Sequence, residues 1–181
     1  MKVIAFFASF LLATTSLLAQ HDSAAMDEQK AQPSSSSHAD CPMMSSDAKH
    51  DAMNKRGDTA MGFSQLKTTH HFLLAADGGA IVVSANNPND QDTIEHVRAH
   101  LRHIAKAFAE GDFSIPMAVH DETPPGAEKM KAMRSSLNYS FESVPNGGRV
   151  VIRSKNPAAI AAVHDFLRYQ IREHRTGDST R

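Results

Sequence analysis

Two stretches of the chain share one pattern of hydrophobic and polar positions. Residues 78–88 match residues 147–157 without a gap, and each stretch runs from Gly-Gly through an apolar segment to Asn-Pro. The match extends towards the N-terminus, where the segment around Phe72 aligns with the segment around Phe141. Similarity that returns at a fixed spacing indicates two consecutive copies of one structural unit.

Each unit predicts two strands, a tight turn between them and a helix. The apolar segments on either side of the Gly-Gly pairs predict strands, and the pairs themselves are typical of a β-hairpin turn. The Asn-Pro pairs at 87–88 and 156–157 predict helix starts, because asparagine caps a helix and proline fits its first turn. Gly111 and Gly177 are predicted to end the same two helices.

Together the units, residues 70–112 and 138–178, predict an α+β fold. The simplest arrangement is a four-stranded antiparallel sheet with two long helices on one face. A further short linker helix is predicted after Thr123-Pro124, because this pair is another start signal and Met130 and Met133 continue at helical spacing.

The first residues, 1–19, have the pattern of a secretory signal peptide. Lys2 precedes an apolar run, and Ala19 is a small residue at the expected cleavage point. An uncleaved membrane anchor is the alternative, but polar residues interrupt the run and leave it short for a span of about 20 residues. We therefore expect a periplasmic or secreted protein with no membrane span after cleavage.

The segment that follows, residues 20–59, is rich in serine, alanine, histidine, methionine and charged residues and poor in branched and aromatic ones. Such a composition buries too little apolar surface to offset the entropy of ordering. The sequence therefore predicts a disordered His/Met/Ser-rich tail over 20–59 and a folded domain over 60–178.

Charge and motifs exclude some classes of function. The net charge is −1 with acids and bases mixed along the chain, which gives no basic surface for nucleic acid. The chain also lacks a nucleophile elbow, a phosphate loop and a dinucleotide fingerprint. The single cysteine, Cys41, cannot form an internal disulfide, so it is a metal ligand, an intermolecular bridge or neither.

Metal-binding side chains are abundant, with eleven histidines and nine methionines in the chain. Histidine, methionine and cysteine bind soft and borderline metal ions. In the tail, Cys41, Met43 and Met44 offer a thiolate and thioethers, which select Cu(I), and a flexible segment can wrap around a small ion. The alternative is a linker in which the methionines have no role.

Three histidines lie on one flank of the first long helix. His96, His100 and His103 border its apolar stripe, and imidazoles one turn apart can share one metal ion. They lack the glutamate that accompanies such histidines in zinc metalloproteases. The alternative to a metal site is a solvated helix flank.

Other histidines fall on the first strand, in the linker and on the last helix. His70 and His71 are adjacent on a strand, so their side chains point to opposite faces, with His70 expected on the core side. His120 lies in the linker, where ligand residues often occur. His164 and His174 belong to the apolar side of the last helix and are interpreted as structural.

Residues 68–74 (TTHHFLL), 123–126 (TPPG) and 163–171 (VHDFLRYQI) carry a resemblance to a family of short exported bacterial proteins. The likeness covers roughly residues 57–178 and implies an exported domain but no particular activity. Cys41-Pro42-Met43 is also similar to the Cys-Pro-Met segments of exported copper and silver efflux components, although Met44 stands where those segments usually have histidine. That similarity implies binding of Cu(I) or silver by the tail.

These features favour an extracytoplasmic metal-binding protein of the copper type, or a metal-resistance protein, with Cu(I) expected before zinc. The expected partners are the metal ion and an envelope protein. One alternative is a non-catalytic envelope interaction domain whose histidines are structural. Another is a metal-dependent enzyme that uses His100, His103 and His120 and keeps an open coordination position.

Overall fold

Two β-hairpins build the sheet. The computed structural model describes residues 45–181, in which β1 (Thr68–Ala75) pairs with β2 (Gly78–Ala85) and β3 (Asn138–Val144) pairs with β4 (Gly147–Arg153). β2 and β4 also pair, so the four strands form one antiparallel sheet in the order β1-β2-β4-β3. The predicted α+β fold, with its four-stranded antiparallel sheet, is confirmed.

The sequence repeat is visible in the strand register. Ile81 lies opposite Phe72 in the first hairpin, and Val150 lies opposite Phe141 in the second. Ile81 and Val150, which are equivalent positions of the repeat, face each other across the central β2–β4 ladder. The two hairpins are therefore related by an approximate two-fold axis that passes between these two residues.

The two long helices pack on the same face of the sheet. α2 (Gln91–Glu110) lies mainly across β3 and β4, whereas α5 (Pro157–Glu173) lies across β1 and β2, so each helix covers the hairpin of the other unit. Both helices are apolar on the buried side only. Among residues 45–181, no helix has the length and hydropathy needed to cross a membrane. The core between the layers includes Phe72, Ile81, Val83, Val150, Ile152, Val97, Leu101, Val163, Phe166 and Leu167.

The connection between the two units contains two short helices rather than the single one predicted. α3 (Ser114–His120) follows α2 closely, and α4 (Ala127–Ala132) begins three residues after the expected Pro124. Gly126 precedes α4 with φ +84°, and a Cβ added there would lie 2.2 Å from the Ala162 carbonyl oxygen on α5. The close approach of α5 and the positive φ both favour glycine at this position, directly before α4.

The predicted helix ends are partly wrong. α2 begins at Gln91, because the Asp90 carboxylate accepts a hydrogen bond from Thr93 N at 3.1 Å and caps the helix beyond the first Asn-Pro pair. The second pair does cap α5 as predicted, and Gly111 ends α2 with φ +82°. Gly177 lies in the segment after α5, which ends at Glu173.

The prediction of a disordered segment over 20–59 is wrong for its last part. Residues Ser46–Met61 form a helix, α1, capped by the Ser45 side chain at one end and Gly62 at the other. Met53 is 4% exposed where α1 packs on α3, and Arg56 Nε donates to Val119 O at 2.8 Å. The helix is stable because its few apolar residues meet a complementary surface, which composition alone does not reveal.

The remaining predictions on the N-terminal part lie outside the described residues. They are the signal peptide over 1–19, the tail over 20–44 and the candidate ligands Cys41, Met43 and Met44. Each stays a prediction.

Candidate functional site

Four histidines from four different elements line one cavity of about 70 Å³. We call it the imidazole cavity and define it by His70 on β1, His100 on α2, His120 at the end of α3 and His174 at the end of α5. The rest of the described lining is almost entirely apolar and contains no charged side chain. The cavity lies between the sheet and the helices that cover it.

Local structure accounts for the direction of each ring. Alternate residues of β1 face the helices, so His70 shares the inner face with Thr68 and Phe72, as predicted. His100 lies beside the buried Leu101 at the edge of the apolar stripe of α2. His120 is 9% exposed, because α3 ends there and the chain turns through Asp121 with φ +58°.

His174 stands between two of the other rings. Its centroid is 5.7 Å from that of His70, with the planes nearly parallel, and 5.2 Å from that of His120, with the planes perpendicular. Phe63 links His100 to the group, because its ring contacts His100 edge-on at 5.5 Å and stacks on His70 at 6.4 Å. The four imidazoles thus belong to one continuous aromatic cluster.

Burial keeps these imidazoles neutral. Desolvation lowers the pKa of His70 to about 4, and repulsion from His100 and His71 adds to the effect. Desolvation also lowers the pKa of His100 to about 4 and takes that of His174 well below its ordinary value. The pKa of His120 is lowered by burial too, although Gln170, Glu173 and Glu122 oppose the shift. Near pH 7 each ring therefore has a nitrogen lone pair available.

The hydrogen bonds leave two buried nitrogens without partners. His120 Nε2 lies 2.9 Å from Gln170 Oε1, and because an amide oxygen only accepts, His120 donates through Nε2 and keeps its lone pair on Nδ1. Among the described residues, His70 Nε2 and Gln170 Nε2 are buried and find no hydrogen-bond partner. An unpaired buried polar group costs about 1–3 kcal/mol. A partner for Gln170 Nε2 must accept a hydrogen bond, whereas His70 Nε2 donates one or offers its lone pair according to its tautomer.

Ring spacing is compatible with a shared ion, although the side chains do not yet surround one. Two imidazoles bound to one ion through bonds of about 2.0 Å have centroids up to about 6 Å apart, which includes the separations at His174. Within residues 45–181, no group of three or more His, Cys, Asp or Glu side chains is arranged to hold a metal ion. Binding therefore requires rotation of the rings towards a common point.

The other histidines singled out in the sequence lie elsewhere. His71 is on the opposite face of the sheet, where its Nδ1 is 2.9 Å from Asp178 Oδ1. Asp178 also accepts from Phe72 N at 2.9 Å, so the pair attaches the C-terminal segment to the edge strand β1. His96 and His103 are exposed on α2 and do not line the cavity, whereas His100 does.

Sequence reasoning missed three residues near this cavity. His174 was interpreted as structural, yet it is the central ring, and Gln170 lies one turn before it on the same helix face. That i, i+4 pair on an apolar stripe is a signal that could have identified them. His50 belongs to the His/Met-rich segment that the sequence predicts to be disordered, so its position on the packed helix α1 was not predicted.

A second, open cavity of about 650 Å³ adjoins the first. It lies between α1 and the ends of α3 and α5, and we call it the α1 cleft. Its lining includes His50 on α1, Glu122 after α3 and Glu173 on α5. His120 lines both the α1 cleft and the imidazole cavity, so the two spaces meet at its ring.

Comparison with known proteins assigns no function to either cavity. No protein family, curated protein or solved structure matches the chain. The chemistry of the site is therefore argued from its own residues.

Proposed function

We propose that this chain is an extracytoplasmic metal-binding or metal-resistance protein of the copper type, and that its folded domain holds the ion in the imidazole cavity. The observation that carries the proposal is the convergence of four neutral imidazoles from four elements on one small cavity. Structural histidines are usually satisfied one at a time by local partners. A buried group of them with a free ring nitrogen is what a nitrogen-ligated ion requires.

The chemistry of the lining favours Cu(I) over zinc. Imidazole suits several ions, but the cavity offers no carboxylate to balance the charge of a divalent one. Cu(I) carries one charge and accepts two or three neutral ligands. His70, His120 and His174 are the proposed ligands, and His100 is the fourth ring within the cluster. In the N-terminal segment, Cys41, Met43 and Met44 are proposed as a separate sulfur site.

A structural role for the histidines is the competing function, and one observation favours it. A cavity of about 70 Å³ has room for about two water molecules, which could bond to His70 Nε2 and Gln170 Nε2. The stacked rings would then simply fill the interior of an envelope interaction domain. A metal titration separates the two functions.

The test uses the mature chain with its sulfur ligands replaced by Cys41→Ser, Met43→Leu and Met44→Leu. Under reducing conditions this chain should still withdraw about one equivalent of Cu(I) from a chromophoric chelator. His70→Phe combined with His174→Phe should abolish that uptake, because both replacements keep an aromatic ring but remove the lone pair. Absorbance of the chelator complex measures the transfer, and circular dichroism checks the fold.

The matched control is the double variant His96→Ala, His103→Ala, which removes two exposed imidazoles of α2 and should bind Cu(I) like the parent. If the parent with these three replacements takes up no Cu(I), or the double phenylalanine variant binds as tightly as that parent, the metal-binding function of the domain is wrong. The interaction domain would then be the better interpretation.

A further inference from the structure

The two unpaired nitrogens of the imidazole cavity require partners of opposite character. Gln170 is 3% exposed, and its amide oxygen lies 2.9 Å from His120 Nε2. The amide nitrogen of Gln170 has no partner among the described residues, and because it can only donate, what it lacks is an acceptor. His70 Nε2 is the proposed metal ligand and offers its lone pair to a cation. A guest that satisfies both atoms is therefore positive towards His70 and negative towards Gln170.

The cavity itself offers no negative charge to a bound cation. Its described lining has no charged side chain, and a buried charge is costly unless it is paired. Glu122 and Glu173 act on His120 from the neighbouring α1 cleft. Four cationic side chains of that cleft at least balance its carboxylates: Lys49, Arg56, Arg172 and Arg175. An ion on the buried imidazoles therefore needs a negative partner that the described side chains do not supply.

The size of the cavity limits what this partner can be. A volume of about 70 Å³ has room for about two water molecules, and a Cu(I) ion with one chloride ion occupies a similar space. A larger oxyanion such as phosphate does not fit beside the metal. Chloride and bromide are ligands of Cu(I), and both accept hydrogen bonds from amide N–H groups.

We propose that the imidazole cavity binds Cu(I) together with one halide ion, and that Gln170 Nε2 donates a hydrogen bond to the halide. This inference rests on the proposed metal-binding function. His70 and the halide each give an electron pair to the metal, and the charges of +1 and −1 cancel. The oxidation state of Cu(I) does not change. Both unpaired nitrogens gain a partner, and the pair of ions enters the apolar interior without net charge.

Gln170 has a different role at each end of its amide. Its oxygen accepts from His120 Nε2 and so fixes that ring, which is the usual way in which a metal-binding histidine is held. Its nitrogen recognises the anion. Gln170→Glu separates the two roles, because a carboxylate still accepts from His120 and carries the negative charge itself but cannot donate to a halide. Gln170→Leu removes both roles.

The test is the effect of chloride on the Cu(I) affinity of the mature chain that carries Cys41→Ser, Met43→Leu and Met44→Leu. Cu(I) is supplied as its complex with bicinchoninate under reducing conditions, and sodium perchlorate replaces sodium chloride at equal ionic strength. Chloride should strengthen Cu(I) binding by this parent about tenfold. Gln170→Leu should lose that gain, and Gln170→Glu should bind equally in both salts. His96→Ala, which removes an exposed imidazole on α2, should respond to chloride like the parent.

Bromide gives a direct measurement, because it is a heavy scatterer beside copper. In sodium bromide, X-ray absorption at the copper edge of the loaded parent should show one bromide bound to the metal. Gln170→Glu should show none. The measurement on the parent needs no Gln170 variant, so it decides the question even if that variant folds poorly.

The outcomes distinguish the halide from the proposed function. If the parent binds Cu(I) equally in chloride and perchlorate and shows no bromide on copper, the halide is wrong and the buried metal site stands. If chloride strengthens binding as much in both Gln170 variants as in the parent, Gln170 does not hold the anion and the inference is again wrong. If the parent takes up no Cu(I) in either salt, the proposed function fails and the halide site fails with it.

Discussion

His70 is the residue whose position most needs an explanation. Its ring lies on the inner face of β1, and among the described residues its Nε2 has no hydrogen-bond partner. Phenylalanine or leucine would fill the same place without an unpaired nitrogen, as Phe72 does two residues later. A buried imidazole that is less favourable for stability than an apolar side chain indicates a role other than packing.

Gly126 shows how a single residue controls the approach of two helices. Gly126→Ala should lower the free energy of unfolding by at least about 2 kcal/mol, because the new Cβ meets the Ala162 carbonyl and φ is positive. Gly62→Ala is the control, since Gly62 has a similar φ of +77° but no atom within 4 Å of the added Cβ. Its cost should be about 1 kcal/mol. Urea denaturation measures the free energy of unfolding of both variants. Equal losses in the two would show that the contact between Gly126 and α5 is unimportant.

At the scale of the element, α1 contributes more than its composition indicates. It is mostly polar, yet it reaches three parts of the domain. Met53 packs where α1 meets α3, and Gln65 N donates to Asp58 Oδ1 at 2.8 Å after the helix ends. At the other end, Arg175 Nη1 lies 2.8 Å from Asp47 Oδ1 and so joins α1 to the C-terminal segment. α1 is therefore part of the domain and one wall of the α1 cleft.

The packing of α1 can be tested at its most buried side chain. Met53→Ala should lower the free energy of unfolding by about 2 kcal/mol, because it removes a buried thioether side chain and leaves a gap against α3. Lys49→Ala, on the exposed side of the same helix, should change it by less than about 0.5 kcal/mol. Urea denaturation measures both. If Met53→Ala is as neutral as Lys49→Ala, α1 does not stabilise the domain.

At the scale of the whole molecule, the imidazole cavity joins the sheet to the helices that cover it. β1, α2, α3 and α5 each contribute one ring, so these elements must all be in place for the cluster to exist. The same burial that keeps the rings neutral makes their protonation incompatible with the folded state. Acidic pH should therefore destabilise the whole domain and not a single loop.

We expect the free energy of unfolding to fall between pH 6.5 and pH 4. The pKa of His70 is lowered by burial to about 4, whereas in the unfolded chain it returns to 6.5. Between these values the unfolded state binds more protons, so stability rises with pH, by up to about 3 kcal/mol for one such histidine. Contributions from His100 and His174 do not simply add, because the rings repel one another when charged.

Urea denaturation at pH 7.5, 5.5 and 4.5 measures this dependence. His70→Phe should flatten the profile, and if that variant folds poorly, His100→Leu should flatten it too. His96→Ala, which removes an exposed imidazole, should leave the profile unchanged. A free energy of unfolding that stays constant from pH 7.5 to pH 4.5 would show that the four rings are not held neutral by the fold.

Much of the fold followed from local patterns. The Gly-Gly pairs and the apolar segments beside them predicted both hairpins, because turn geometry and strand alternation depend on neighbours in the chain. The same alternation placed His70 inside and His71 outside. The predicted start of α2 is wrong because Asp90 is the better cap, whereas the predicted linker helix is present as α4 and the structure adds α3 before it.

The repeat, the class of fold and the inward direction of His70 follow from patterns within the chain. The contact between His70 and His174, which are more than a hundred residues apart, depends instead on how the helices pack on the sheet. The reason is that α5 crosses β1 and β2, the hairpin of the other unit, and so carries its last turn to the start of the sheet. Packing between distant segments also docks α1 beside His120. The hydrophobic periodicity within either segment does not predict these contacts, because they depend on which surfaces the whole chain brings together.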